Sequence, residues 1–269
     1  MQAGVRSLLF VPGGRADMIA KVGRSRPDGV VLDLEDAVAA GDKDTARATV
    51  VAALAVLDVD AVVLVRVNPP GSPWFADDLA AVAGTRADGV VLPKLEHPGQ
   101  VEQVRTGLGP DAVVVGGLET ALGVADSRAL LEGSGLAAAY FGAEDYVADL
   151  GGRRTAGGHE VLYARSRVAL AGRLSGVPVL DQVVVAVRDD DAFRREAAQA
   201  RDLGYAGKLC IHPAQVALAH EAFTPSEAEV AHARAVVEAS AQGVGLVDGQ
   251  MVDDVHVRMA RAVLDRAGP

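Results

Sequence analysis

The chain has 269 residues, half of them apolar and 23% charged, with 26 basic against 36 acidic side chains and a net charge of −10. That is enough for one large domain or two small ones, and the acidic balance disfavours nucleic acid or an anionic membrane surface as a partner. The single Cys210 excludes an internal disulfide and a cysteine-rich metal site; with no apolar run of the ~18 residues a membrane helix needs and no apolar block before a cleavage site in MQAGVRSLLF, the expected compartment is the cytoplasm.

Short apolar runs of strand type follow one another at 7–13, 29–35, 61–68, 89–95, 112–119, 136–143, 178–185 and 207–213. Most are rich in Val and Leu without strict alternation, as in strands buried on both faces of a parallel sheet. Helix-type stretches separate them, most clearly at 43–57, 159–174 and 192–204. Strand and helix in such alternation predict an eight-stranded TIM-type (β/α)8 barrel. A doubly wound open sheet is the alternative, but it has no equally natural use for eight regular units.

Beyond the eighth unit, Thr224-Pro225-Ser226-Glu227 reads as a capping box with proline at the first helical position. VGLVDGQMV then reads as a hairpin around Asp248-Gly249, and DDVHVRMARAVLDRA as an amphipathic helix. Residues 1–223 are therefore expected to form the barrel and 224–269 an extension. Its apolar faces must be covered by the barrel's own rim or by a neighbouring subunit.

Barrel enzymes place their chemistry at the C-terminal ends of the strands. The chain writes DGVVLDLED at 28–36 and DGVVLPKLE at 88–96, so one copy delivers Asp33, Glu35 and Asp36 to that mouth and the other Lys94. Arg66 follows the third strand, Glu119 the fifth, Glu144 and Asp145 the sixth, and His212 the eighth. Each has a plainer reading. Glu119 and Asp145 precede helix-like stretches and suit caps; Arg66 suits an ion pair with a barrel acid; Lys94 suits a rim charge, and Cys210 and His212 suit packing. The loop GGRRTAGG at 151–158 is too irregular for a nucleotide fingerprint. Taken together, carboxylates from adjacent strands make an oxygen-only site of the kind Mg2+ prefers, with positions left open for a substrate. A cation beside Arg66 is an arrangement for stabilising an enolate or an oxo acid.

The motifs RSLLFVPGGRADMIAKV, VVLDLEDAV, VRVN, VVLPKLE, GLET, FGAEDYVADLGGRRT, LYARSRVALAGR, GKLCIHPAQV, FTPSEAEVAHAR and DGQMVD span nearly the whole chain. In this order they resemble the citrate lyase beta subunit-like proteins of the HpcH/HpaI aldolase and citrate lyase superfamily, which includes malyl- and citramalyl-coenzyme A lyases. The resemblance implies a β/α barrel, a homotrimer or a pair of trimers, and Mg2+. It implies reversible carbon–carbon cleavage of a coenzyme A thioester, such as malyl- or citramalyl-CoA, to acetyl-CoA and a 2-oxo acid (glyoxylate, pyruvate or oxaloacetate). Residue by residue, it implies that Glu119 and Asp145 are metal ligands and that Arg66 binds the substrate carboxylate. Glu35 and Asp36 match acids that hold metal-bound waters and the shape of the site, and Arg15 and Lys94 match positions near the thioester or its coenzyme. Asp253 matches an acid that a C-terminal lid supplies across a subunit interface to exchange a proton with the enolate carbon. Ala186 departs from the pattern, because many relatives carry an acid or amide there. Three other readings stand beside this one: a metal-dependent aldolase acting on free hydroxy-oxo acids, a Schiff-base aldolase using Lys94, and a non-autonomous subunit of a citrate lyase-like complex.

Overall fold

The computed structural model describes residues 4–240 and 245–267. Eight strands, β1 (Ser7–Pro12), β2 (Gly29–Asp33), β3 (Val62–Arg66), β4 (Gly89–Leu92), β5 (Val113–Leu118), β6 (Ala138–Phe141), β7 (Val179–Asp181) and β8 (Gly207–Cys210), pair in parallel in chain order. Strand β8 returns to β1, with Leu8 opposite Leu209, so the sheet is a closed barrel and the open-sheet alternative falls. Helix α1 (Ala16–Ile19) follows β1, α2 (Lys43–Val56) follows β2, α3 (Phe75–Val82) follows β3 and α4 (Gly99–Leu108) follows β4. Then come α5 (Ala121–Ala125) and α6 (Ser127–Leu131) after β5, α7 (Ala143–Asp149) and α8 (His159–Ser175) after β6, α9 (Asp190–Leu203) after β7, and α10 (Pro213–Phe223) after β8.

One inward residue from each strand fills the barrel: Leu8, Val31, Leu64, Val91, Val115, Ala138, Leu180 and Leu209 pack together, all essentially inaccessible to solvent. Burial of each larger side chain contributes about 1.5–3 kcal/mol. The repeated Asp-Gly at the strand entrances has a specific cause. Asp28 accepts hydrogen bonds from the Arg6 backbone and guanidinium, and Asp88 accepts one from the Val63 backbone at 2.7 Å, so each acid ties its strand to a neighbour. A Cβ on Gly29 would strike the Leu8 side chain, and one on Gly89 would strike the Val113 backbone. The glycines therefore allow adjacent strands to reach pairing distance.

By its internal contacts the chain divides into two compact units, residues 1–220 and 221–269. The second contains α11 (Glu227–Ser240), β9 (Gly245–Val247), β10 (Gln250–Val252) and α12 (Asp254–Ala267). Strands β9 and β10 pair antiparallel across Asp248 and Gly249, whose φ values of 51° and 77° are those of a tight hairpin turn. Ala233, Val236, Val252, Val257 and Ala260 form its small core. The capping box is not the expected Thr224/Glu227 pair. Helix α11 starts at Glu227, so Ser226 takes the cap: its Oγ accepts from the Glu229 N–H at 3.2 Å, and the Glu229 carboxylate accepts from the Ser226 N–H at 2.8 Å. The stretch offers two such pairs three residues apart, and the one next to the true helix start is used. Among the described residues no helix is long and apolar enough to cross a membrane.

Candidate active site

Strand parity decides which side chains look into the mouth. Two residues beyond the core positions Val31 and Leu64 come Asp33 and Arg66, which are register partners on β2 and β3. Four beyond Val115, with Gly117 between, comes Glu119. Asp33 and Arg66 meet as a fork: Arg66 Nε and Nη2 donate to the two Asp33 oxygens at 2.7 and 2.6 Å. The third nitrogen, Nη1, lies 2.9 Å from Glu35, and the guanidinium stands 5.2 Å from the Phe10 ring centre. Burial works against the Arg66 charge, but the Asp33 and Glu35 carboxylates keep its pKa well above the ordinary arginine value. The plainer reading of Arg66, an ion pair with a barrel acid, is thus realised, and the pair also fixes the guanidinium at the mouth.

Glu119 is 1% exposed. Its carboxylate occupies space that two glycines leave open, since a Cβ on Gly142 would come within 2.5 Å of Oε2 and one on Gly117 within 3.1 Å of Oε1. Gly117 is the register partner of Tyr140, whose ring fills the remaining room. Burial pushes the Glu119 carboxyl above its ordinary range, and the charge of Asp145 adds to this against the pull of Arg66 and Lys94. Burial and the Glu119 charge together keep the Tyr140 phenol protonated. Asp145, in the first turn of α7, is about one-third exposed and 3.6 Å from Lys94 Nζ.

Lys94 follows β4 with a left-handed backbone, φ 49°. Its N–H donates to Glu119 Oε1 at 2.8 Å and its ammonium donates to Glu35 at 2.5 Å. Burial opposes its charge, yet Glu35, Glu119 and Asp145 raise its pKa above the ordinary lysine value. Glu35 is itself pushed up to about 7 by burial, against the attraction of Arg66 and Lys94. Asp36 is more open and lies 4.0 Å from both cations.

Asp33, Asp36, Arg66, Glu119, Glu144 and Asp145 line a pocket of about 370 Å3, with Phe10, Val183 and Leu209 among its apolar walls; Glu35 and Lys94 pair with these residues without lining the pocket themselves. Five rim carboxylates face two cations, so the cluster carries surplus negative charge, and the buried Glu119 carboxyl needs either a proton or a further cation. Among the described residues no three His, Cys, Asp or Glu side chains form a ready-made ion cage. Glu119 and Asp145 would give a hard cation two protein ligands and leave the rest to water and substrate, the usual situation for Mg2+. The donor set therefore fits the ion.

Of the other expected residues of the barrel unit, Glu144 also lines the pocket, and Arg15, Cys210 and His212 do not. Arg15 is at the β1–α1 turn, half exposed and paired with Asp17 at 2.9 Å, and it does not line the pocket. His212 accepts from the Ala214 N–H at the start of α10. Cys210 is buried, with its thiol pushed up to about 12 by burial. Cys210 therefore follows its plainer reading of packing, whereas His212 is exposed and is not packed. Glu144 holds Arg154 at 2.9 Å, and Arg154 also holds Glu160, which ties down the glycine-rich loop. Within the second unit, Asp253 Oδ1 accepts from the Val255 N–H at 3.0 Å and lies 2.7 Å from His256 Nδ1; Asp253 is a helix cap for α12.

Two supporting residues, Lys43 and Asn68, are not among the expected site residues. Lys43, at the start of α2, is buried and donates to the Leu34 and Glu35 carbonyls and to Asn68 Oδ1, each at 2.7 Å. Asn68 in turn donates to Asp78 at 2.6 Å. Together they fasten the loop that presents Glu35. Asn68 stands in the VRVN motif just past β3, where its position could have drawn attention; Lys43 looks like any first-turn lysine.

Residues 6–213 match the model of the family described as HpcH/HpaI aldolase/citrate lyase. The chain is 51% identical to a citrate lyase subunit beta-like protein of Deinococcus radiodurans, over 97% of this chain and 96% of that one. It is 34% identical to a (3S)-malyl-CoA thioesterase of Cereibacter sphaeroides, over 97% and 94%. A crystal structure of the CitE protein of Mycobacterium tuberculosis, in complex with magnesium, acetoacetate and coenzyme A, superposes with a TM-score of 0.89 at 34% identity, covering 100% of both chains.

Proposed function

The chain belongs to the HpcH/HpaI aldolase/citrate lyase family, and on that premise we propose that it is a Mg2+-dependent carbon–carbon lyase. Its substrate is a 3-hydroxy-3-carboxyacyl-coenzyme A thioester of the malyl- or citramalyl-CoA type, cleaved reversibly to a 2-oxo acid and acetyl-CoA. The observation that carries the reading is the buried Glu119 carboxylate in its glycine cradle, beside Asp145 and a fixed Arg66 at the floor of the pocket. The magnesium and coenzyme A held by the structural relative support it.

Glu119 and Asp145 would hold the cation, which would supply charge neutralisation and polarise the substrate's hydroxyl and carboxylate oxygens. Arg66 pairs with the substrate carboxylate and holds the charge that develops as the carbon–carbon bond breaks. In that step a rim carboxylate takes the hydroxyl proton. The bonding pair moves towards the thioester carbonyl, leaving the 2-oxo acid and an acetyl thioester enolate. The enolate carbon then takes a proton from Asp253 of a neighbouring subunit's tail. The His256 hydrogen bond lowers the Asp253 carboxyl, so as it stands the group is the base of the condensation direction and must take up a proton before it serves cleavage. A pocket of about 370 Å3 accommodates the small acid and the thioester end, with the coenzyme extending outward past Arg15.

The test is a panel of 3-hydroxy-3-carboxyacyl-CoA thioesters, incubated with the purified chain and Mg2+ and resolved by product. Release of a 2-oxo acid with acetyl-CoA supports the lyase. Free hydroxy acid and coenzyme A without oxo acid would mean thioester hydrolysis, cleavage of free hydroxy-oxo acids alone would mean an aldolase, and activity only beside an acyl-carrier partner would mean a dependent subunit. Each of these overturns the proposal.

A further inference from the structure

Lys94 stands in an unusual place for a rim lysine. A non-glycine residue at φ 49° is held against steric preference, and here the surroundings account for it. The backbone N–H donates to Glu119 Oε1 at 2.8 Å while the ammonium reaches Glu35 at 2.5 Å, Asp145 at 3.6 Å and Asp36 at 4.0 Å. One residue thus orients one proposed metal ligand through its backbone and covers the other with its charge. Arg66 cannot share this task, because all three of its nitrogens face Asp33 or Glu35 and its side chain is 12% exposed against 30% for Lys94. Of the two cations in the cluster, Lys94 is the one with room to move.

We infer that Lys94 is the displaceable counter-ion of this site: its ammonium neutralises Asp145 and Glu35 while no divalent cation is present, gives up Asp145 when one enters, and then faces the anionic substrate. The inference rests on the reading that Glu119 and Asp145 hold a cation. An ammonium within 4 Å of Asp145 and a divalent ion on the same carboxylate repel one another, so the metal-bound site must release the lysine or bind the metal more weakly. Release converts a competitor for the metal into a partner for the 2-oxo acid. Metal binding and oxo-acid binding then reinforce each other, with Lys94 as the link.

The test is calorimetric titration with Mn2+ alone, then with pyruvate at saturating Mn2+, on the wild type, Lys94→Met and Lys94→Gln, with circular dichroism as the check on folding. The two variants should bind Mn2+ about tenfold more tightly, bind pyruvate more weakly, and melt at lower temperature than the wild type in chelator. That opposite sign for metal and oxo acid is something a merely structural lysine would not produce. Wild-type affinity for Mn2+ in both folded variants overturns the counter-ion role while leaving the metal site standing. Mn2+ binding that is absent in the wild type, or present there and unchanged by Glu119→Gln, overturns the metal reading itself and the displacement with it.

Discussion

Burial sets Glu35 against its neighbours: it is 3% exposed, pushed up to about 7, and still within reach of Arg66 and Lys94. Its carboxyl ionises near 4.5 in the unfolded chain, so between about pH 4.5 and about pH 7 this group binds more proton in the folded state than in the unfolded one. The stability that Glu35 contributes therefore falls as the pH rises through that window, opposite in sign to the contribution of His220, whose pKa burial lowers. Chemical denaturation of the metal-free protein across this range should show this contribution as a difference in slope from Glu35→Gln; an identical slope in the variant would assign any fall to another group. Lys43 makes a separate prediction. Replacing it by Met removes the donor to three buried acceptors, and should cost about 3 kcal/mol in the same measurement. Arg66 and Glu119 were legible in the sequence because each stands at even spacing past an inward Val or Leu of its own strand. Lys43, Gly117 and Gly142 were not, since their roles depend on partners far along the chain.

At the scale of elements, the sequence showed where strands begin better than where they end. The run at 178–185 yields a strand of only three residues, Val179–Asp181; a continuous apolar pattern cannot mark the point at which a strand leaves the barrel to become its mouth. The cap of α11 was misplaced by two residues for a related reason, because two Ser/Thr-x-x-Glu pairs overlap and only the helix start chooses between them. The start of α12 allows the cap that Asp253 makes to be separated from the proton transfer proposed for it. Asparagine caps helices about as well as aspartate, so Asp253→Asn should keep the thermal stability of the wild type while losing proton transfer, a fall of about 100-fold or more in kcat. Asp253→Ala should lose both, with about 1 kcal/mol taken from the second unit. Full turnover in a well-folded Asp253→Asn protein would confine the residue to capping.

For the whole molecule, the barrel was readable because eight similar units leave little choice of topology, whereas assembly is written in surfaces that no local pattern exposes. Helix α8 leaves Tyr163 70% exposed and Leu170 and Leu174 more than half exposed, at a seven- and four-residue spacing that puts them on one face. Such a stripe is what a second copy of the chain would cover, and it supports the proposal of a trimer or hexamer in which each tail serves the next barrel. If Asp253 acts in trans, mixing Asp253→Asn with Arg66→Ala subunits by unfolding and refolding should restore part of the activity, because some interfaces then combine an intact barrel with an intact tail. Verified mixed oligomers without recovery would mean that the tail serves its own barrel or none.

The central claim, that Glu119 and Asp145 form the cation site of a carbon–carbon lyase, is tested most directly by one titration. The protein is stripped with chelator and the rate of 2-oxo acid release from malyl- or citramalyl-CoA is followed as Mg2+ is returned, for the wild type beside Glu119→Gln and Asp145→Asn. The account predicts no release without the cation, saturable recovery in the wild type, and loss of at least about 100-fold in both variants at unchanged melting temperature. Undiminished release in excess chelator, or a wild-type response to Mg2+ in either variant, would contradict it.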